Sequence, residues 1–312
     1  MSSAVTLGLV VLAVFGLASL GLSGLLAIAW RGRLAQLGLS SAELLALRLL
    51  PTGGGALVAL TVALPAFLLY EPAQEIEAVG PVLLSLAALA LVTLAAALVR
   101  AGRAQRSAGR LFRDCGRSAR LLLTGATPVE VLDLEEPIVA VVGGWRQRII
   151  ASRRVVAACS DDEFRQVIAH EAAHVSARDN LKLLAQLGCP DVLAWLPTGR
   201  SLAARWRAAA EREADETAAG PDRQRRIALA AALIKVARLS RRAGSDLPTL
   251  SLSVAVDDVA GRVRALLEPS PPARRPLRLW GPVAAALLLP ALSVPFYGLV
   301  HEGIELLVAL GR

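Results

Sequence analysis

Two of the three histidines in this chain lie four residues apart, with a glutamate directly after the first. Residues 170–174 read His-Glu-Ala-Ala-His. On a helix, residues four apart lie on one face, so the imidazoles of His170 and His174 can bind one Zn²⁺. Glu171 is turned by about 100° from His170, so its carboxylate lies beside the open position of the metal. There it can act as general base on a zinc-bound water and pass the proton to a leaving amine.

A third ligand is needed, because a catalytic zinc has three protein ligands and one open position. Residues 211–215 read Glu-Arg-Glu-Ala-Asp, which places Glu211 and Asp215 on one face of a second helix. We expect Glu211 to bind the zinc and Asp215 to accept a hydrogen bond from a ligand histidine, which fixes the imidazole tautomer. Glu213 competes only in another helix register. A solvated Glu/Arg face is the alternative interpretation of Glu211.

The alternative interpretation of the histidine pair is two exposed side chains on a charged helix. The apolar residues around it, 167–169 and 172–173, favour burial instead. A buried His-Glu-His cluster needs a partner that offsets its desolvation, and a metal supplies one. We do not expect the third histidine, His301, to be a ligand, because the predicted topology puts it across the membrane. The cysteines remain open as ligands but have no supporting spacing: Cys115, Cys159 and Cys189.

Local signals predict the elements that carry these residues. Ser160 and Glu163 form a capping-box pattern, so a helix should begin near Asp161. Residues 121–155 are typical of strands, and the Gly-Gly pair at 143–144 predicts a hairpin between 138–142 and 145–152. Further helices are expected at about 199–219, 225–241 and 254–267.

Four long segments carry no Asp, Glu, Lys or Arg, in a chain of 312 residues that is 55% hydrophobic. Each has at least 22 residues, and about 20 apolar residues span a bilayer as a helix. We therefore predict a multi-span α-helical membrane protein. The segments are residues 1–30, Leu49–Tyr70, Ala78–Val99 and Leu279–Val300.

The charges between these segments predict the orientation. Arginines dominate residues 31–48 and 100–120, whereas 71–77 carry three glutamates and no cation. Basic segments tend to stay in the cytoplasm, so the N-terminus should lie outside. The predicted organisation is three membrane helices in 1–99, a cytoplasmic domain in 100–278, a fourth membrane helix in 279–300 and a short outside tail in 301–312.

The net charge of +8 fits this topology better than nucleic-acid binding. Much of the surplus borders the membrane spans, where it can meet anionic headgroups of the lipid bilayer. A nucleic-acid site would need a basic face with interleaved aromatic residues, and the arginine-rich stretch 100–120 has only Phe112. We expect no nucleic-acid partner.

The two motifs together resemble the gluzincin membrane peptidases. Residues 167–180 read Val-Ile-Ala-His-Glu-Ala-Ala-His-Val-Ser-Ala-Arg-Asp-Asn, and with 211–215 they look most like the BlaR/MecR type, the antirepressor metalloproteases of β-lactam sensing. The resemblance implies a cytoplasmic α+β zinc metalloprotease domain in a bacterial-type inner membrane. It implies that Glu211 is the ligand and that Asp215 and Asp179 support the ligand histidines. A Trp-Leu-Pro segment at 195–197 and the stretch 257–267, with Arg262, also resemble the family.

Two departures limit what the resemblance implies. Signalling members carry a large extracellular sensor after the fourth span, whereas only about a dozen residues follow here, so β-lactam sensing is not carried over. Peptidases of this kind also use a His, Tyr or Arg to stabilise the oxyanion. The tyrosines lie in predicted spans, which leaves the metal alone or one of three arginines: Arg205, Arg207 or Arg212.

The sequence thus predicts an integral-membrane zinc endopeptidase that cleaves a cytoplasmic protein. The resemblance implies a target such as a transcriptional repressor, and self-cleavage is a further option. The substrate is expected to add as a strand along an edge near 146–152. One alternative is a quality-control protease of the HtpX/CAAX type. Another is a non-catalytic signalling scaffold that keeps the metal for structure. The sequence leaves self-association open.

Overall fold

The computed structural model describes most of the chain: residues 3–70, 80–115, 120–134, 136–243 and 258–268, with residues 298, 299, 302, 303 and 306. Within these ranges it contains ten α-helices: α1 Ser3–Gly32, α2 Ser41–Val58, α3 Leu64–Tyr70, α4 Pro81–Cys115, α5 Arg153–Ala158, α6 Asp161–Ala177, α7 Asp179–Leu187, α8 Pro197–Ala219, α9 Arg223–Ala243 and α10 Val259–Leu267. Four strands form one sheet: β1 Arg120–Thr124, β2 Thr127–Leu132, β3 Val139–Val142 and β4 Arg148–Ser152.

The chain divides into two compact units. The first comprises Met1–Val99, Gly188–Ala203 and Pro276–Arg312, and the second comprises Arg100–Leu187 and Ala204–Arg275. The domain boundaries that the sequence suggests stay a prediction, and residues 188–203 belong with the N-terminal helices in the first unit.

Three helical stretches have the length and composition of membrane spans. They are Ala4–Gly32, Ser41–Leu69 and Pro81–Arg110, and they overlap the first three predicted segments. Leucine and isoleucine side chains on them are strongly exposed, for example Leu25 at 66% and Ile28 at 72%. Apolar exposure on this scale suits contact with lipid. The predicted fourth span, 279–300, lies almost entirely outside the described residues.

A buried ion pair lies inside the first unit. Nη1 of Arg48 on α2 is 2.7 Å from Oδ2 of Asp191, and the hydroxyl of Thr52 donates to the same oxygen at 2.8 Å. The second carboxylate oxygen of Asp191 accepts from the backbone N–H of Leu193. Because its charge is paired and hydrogen-bonded, Asp191 can be buried, and it ties residues 188–203 to α2.

The second unit contains a small mixed sheet with the order β1-β2-β4-β3. β1 and β2 are antiparallel, β2 and β4 parallel, and β3 and β4 antiparallel. The predicted hairpin at 143–144 is therefore confirmed, and Gly143 has the positive φ of 96° that suits glycine in such a turn.

The sheet order corrects one prediction. β4 pairs with β2 on one side and with β3 on the other, so residues 146–152 do not form an edge to which a substrate strand could add. Sequence patterns identify a strand but not its neighbours, and the parallel β2–β4 pair joins residues about 20 positions apart. The predicted strand region also ends early, because α5 begins at Arg153.

Helix α6, which carries the histidine motif, begins where the sequence predicts. Ser160 accepts a hydrogen bond from the N–H of Glu163, and the Glu163 carboxylate accepts one from the N–H of Ser160. The carboxylate also lies 2.6 Å from Nζ of Lys235 on α9. Phe164, Val167 and Ile168 pack with apolar residues of the sheet and of α9 in a buried core, and this packing presents the opposite face of α6 to the site.

The predicted helices after α7 are confirmed, with shifted ends. α8 and α9 begin two residues earlier than the sequence suggests. The last helix, α10, begins at Val259 rather than near 254, and residues 254–257 lie outside the described ranges.

Candidate metal centre

Three potential ligand atoms converge in the second unit. Nε2 of His170 and Nε2 of His174 on α6 are 3.2 Å apart. Oxygens of Glu211 on α8 lie 3.4 Å from the first nitrogen and 3.6 Å from the second. Ligands at about 2.0–2.1 Å from a tetrahedral zinc are about 3.3 Å from each other. The three side chains therefore fit Zn²⁺ without rearrangement.

A carboxylate lies beside the Nδ1 atom of each imidazole, on the side away from the other ligands. Nδ1 of His174 is 2.8 Å from Oδ2 of Asp179. Nδ1 of His170 is 3.0 Å from Oδ1 of Asp215, although the pair is not aligned as a hydrogen bond. An N–H at each Nδ1 leaves both Nε2 lone pairs facing the Glu211 carboxylate. Acceptors that converge in this way, at sites 1–7% exposed, need a cation between them.

Arg262 on α10 lies against the same groups. Its Nε and Nη2 donate to the two oxygens of Asp215 at 2.8 and 2.7 Å, which is a bidentate pair. Its Nη1 is 2.6 Å from Oε2 of Glu211, yet neither atom has an aligned hydrogen-bond partner. Arg262 thus holds Asp215 through a bidentate pair and places its positive charge beside Oε2 of Glu211.

The electrostatics of the metal-free site reflect this crowding. Burial alone would lower the pKa of His170, but the close carboxylates of Asp215 and Glu211 raise it to about 10. Burial would raise the pKa values of Glu211 and Asp215, but contacts with His170 and Arg262 hold both below their usual range. Without a metal, a proton on His170 therefore supplies part of the positive charge that the site needs.

Glu171 is placed beside the ligands without a fixed partner. The residue is 1% exposed, and its Oε2 is buried with no hydrogen-bond partner among the described residues. Burial raises the pKa of this carboxyl above its ordinary value. A buried carboxylate with a raised pKa and an oxygen that has no hydrogen-bond partner suits a group that takes up and returns a proton.

The structure brings together the six residues that the sequence singles out for the site: Glu171, His170, His174, Glu211, Asp215 and Asp179. Glu213 is exposed, as the assumed helix register requires. His301 and the side chain of Cys115 lie outside the described residues, whereas Cys159 and Cys189 are described and are not joined in a disulfide.

Of the three arginines that the sequence offers for the oxyanion, Arg207 and Arg212 are exposed and Arg205 is half-buried, and that role stays a prediction. The arginine that contacts the candidate ligands is Arg262, which is 4% exposed and lies against Glu211 and Asp215. Its distance of 47 residues from Asp215 hides the contact from local patterns. The one available signal is the resemblance of the stretch 257–267 to a later family helix.

Comparison with known families supports a peptidase. The family model described as Peptidase family M48 matches residues 117–243, a range that contains the His-Glu-x-x-His helix and Glu211 but ends before α10. The match supports a membrane zinc metallopeptidase, and with the His170, His174 and Glu211 cluster it points to a zinc metalloprotease. No curated protein and no solved structure matches the chain. The BlaR/MecR type stays a prediction.

Proposed function

We propose that this chain is an integral-membrane zinc endopeptidase that cleaves a protein on the cytoplasmic side. The observation that carries the proposal is the convergence of two imidazole nitrogens and a carboxylate at 3.2–3.6 Å, with a partnerless carboxylate oxygen of Glu171 beside them. Candidate membrane helices and the match to a peptidase family support the membrane and the reaction class.

The chain's own residues divide the work. His170, His174 and Glu211 would hold Zn²⁺, while Asp179 and Asp215 orient the two imidazoles. A bound zinc supplies a Lewis acid that polarises the scissile carbonyl and acidifies water. Glu171 takes the proton of the attacking water and returns it to the leaving amine. Arg262 keeps Asp215 and Glu211 in place through its contacts with both carboxylates.

The substrate proposal depends on orientation. The basic segments 31–48 and 100–120 favour a cytoplasmic second unit, which would act on a cytoplasmic protein such as a repressor. A quality-control protease would instead cut misfolded membrane proteins. Cleavage rates of a soluble repressor and of a misfolded membrane protein, measured with the same purified chain, separate these two roles.

The test of the proposal uses the full chain purified in detergent. Zinc content is measured together with cleavage of unfolded casein and of the chain itself. Glu171→Gln should keep about one zinc per chain and lose activity by several orders of magnitude, because the general base is gone. Glu211→Gln should lose zinc and activity together.

Glu216→Gln is the matched control for Glu211→Gln. Glu216 lies on the same helix but is exposed, so this variant should keep zinc and wild-type cleavage. Full activity of Glu171→Gln, or wild-type zinc in Glu211→Gln, would contradict the proposal. A wild-type chain that binds zinc and cleaves neither protein would favour the structural-metal alternative.

A further inference from the structure

Asn180 joins the sheet to the turn that follows the zinc helix. Its Nδ2 donates to the backbone carbonyls of Val141 at 2.9 Å and Gly143 at 3.0 Å, and the residue is 1% exposed. The N–H of Ser152 donates to the carbonyl of Ile138. By the alternation of an antiparallel pair, the Val141 carbonyl points away from β4. Asn180 therefore binds the edge of β3 that has no strand beside it in the described sheet.

The preceding residue, Asp179, contacts the metal centre rather than the sheet. Helix α6 ends at Ala177, and the next residue, Arg178, has a left-handed backbone (φ 55°, ψ 40°) that separates α6 from α7. Asp179 then reaches Nδ1 of His174 at 2.8 Å, and its other oxygen lies 2.9 Å from Nζ of Lys182. Asp179 and Asn180 are consecutive, so an anchor that holds the Asn180 backbone also restricts the position of the Asp179 backbone.

We propose that Asn180 is a positioning residue that aims the His174 imidazole by anchoring the Asp179 backbone to β3. A left-handed turn at a residue other than glycine costs about 1 kcal/mol and persists only where its surroundings hold it. Two hydrogen bonds to the sheet provide that hold at Asn180. The inference rests on the proposed function only in taking zinc as the metal.

The experiment compares Asn180→Asp with Val236→Ala in the full chain. Asn180→Asp keeps the shape of the side chain and removes both donors. Val236 on α9 is 4% exposed in the apolar core that packs against α6, so we expect its truncation to lower stability alone. The readouts are the zinc dissociation constant by chelator competition, the absorption spectrum of the Co²⁺ form and the melting temperature.

We expect Asn180→Asp to weaken zinc binding about tenfold and to shift the Co²⁺ spectrum, as loss of support to a ligand does. Val236→Ala should keep the wild-type constant and spectrum at a similar loss of melting temperature. Equal zinc constants and spectra in both variants would overturn the inference, because Asn180 would then only stabilise the fold.

A second variant and the wild type complete the design. If Asn180→Asp does not fold, Asn180→Ala removes both donors without adding a charge, and a wild-type spectrum and constant in that variant would overturn the inference. A wild type that binds zinc but cuts no protein refutes the proposed function alone. A wild type that binds no zinc refutes both.

Discussion

Arg262 offers the sharpest test of how the site is held together. Its guanidinium contacts two buried carboxylates, those of Asp215 and Glu211, at 2.6–2.8 Å, and the three side chains are 4–9% exposed. Arg262→Met removes the cation and leaves both carboxylates without it. Breaking a buried ion pair from one side costs about 3–5 kcal/mol. In a unit of this size that loss lowers the melting temperature by on the order of 10 °C.

The matched control lies two residues away. Arg264 is on the same helix α10 but is exposed, so Arg264→Met should change the stability by no more than about 0.5 kcal/mol. Melting is followed by tryptophan fluorescence in detergent with a chelator present, since Trp206 is fully buried in the second unit. Added zinc should reduce the difference in melting temperature between the two variants, because a bound cation then neutralises Glu211 in place of Arg262.

A double variant separates the pair from the rest of the site. Asp215→Asn removes one of the charges that Arg262 neutralises, so Arg262→Met should cost less in that background than in the wild type. The reasoning fails if Arg262→Met melts within about 2 °C of Arg264→Met in chelator. It also fails if the two substitutions are additive.

Three further predictions follow from the described contacts and the charge pattern. Glu163→Ala should lower stability by about 1 kcal/mol at pH 6, because the helix cap and the ion pair with Lys235 are lost. Burial alone would raise the pKa of Glu163, but Lys235 and Ser160 hold it below its ordinary value. The contribution is therefore present above the unfolded value of about 4.3, and the melting gap to wild type should close as the pH falls below about 4. Arg178→Gly should raise stability by about 0.5–1 kcal/mol in urea unfolding, because glycine adopts φ 55° without cost; a loss would show that the turn is not strained. In a cysteine-free background, Glu75→Cys and His301→Cys should react with an impermeant thiol reagent from outside the cell, and labelling only after lysis would reverse the proposed orientation.

The sequence is most informative where the signal is local. The start of α6 follows from Ser160 and Glu163, whose reciprocal hydrogen bonds need only a spacing of three. The approach of His170 and His174 follows from helix geometry alone. Glu211 could be chosen over Glu213 because only Glu211 shares a helix face with Asp215. In the structure Glu211 is buried and Glu213 is exposed.

The errors concern contacts between distant parts of the chain. β4 resembles an edge strand because its hairpin with β3 is visible in the sequence, whereas its parallel pairing with β2 has no local signature. Arg262 is one of 34 basic residues, and its sequence neighbours do not distinguish it from the exposed Arg264. Only packing of α10 in the second unit identifies the arginine that is buried with two carboxylates.

The charges of the site explain why metal binding favours ionisation of Glu171. Among the described residues, the carboxylates of Glu211 and Asp215 face two cations in the metal-free protein, Arg262 and a protonated His170. Burial raises the pKa of Glu171 above its ordinary value and so opposes its ionisation in that state. Exchange of the His170 proton for a divalent cation adds one positive charge in a buried volume. Ionisation of Glu171 restores the balance, so the same event that fills the site favours the basic form of this carboxylate.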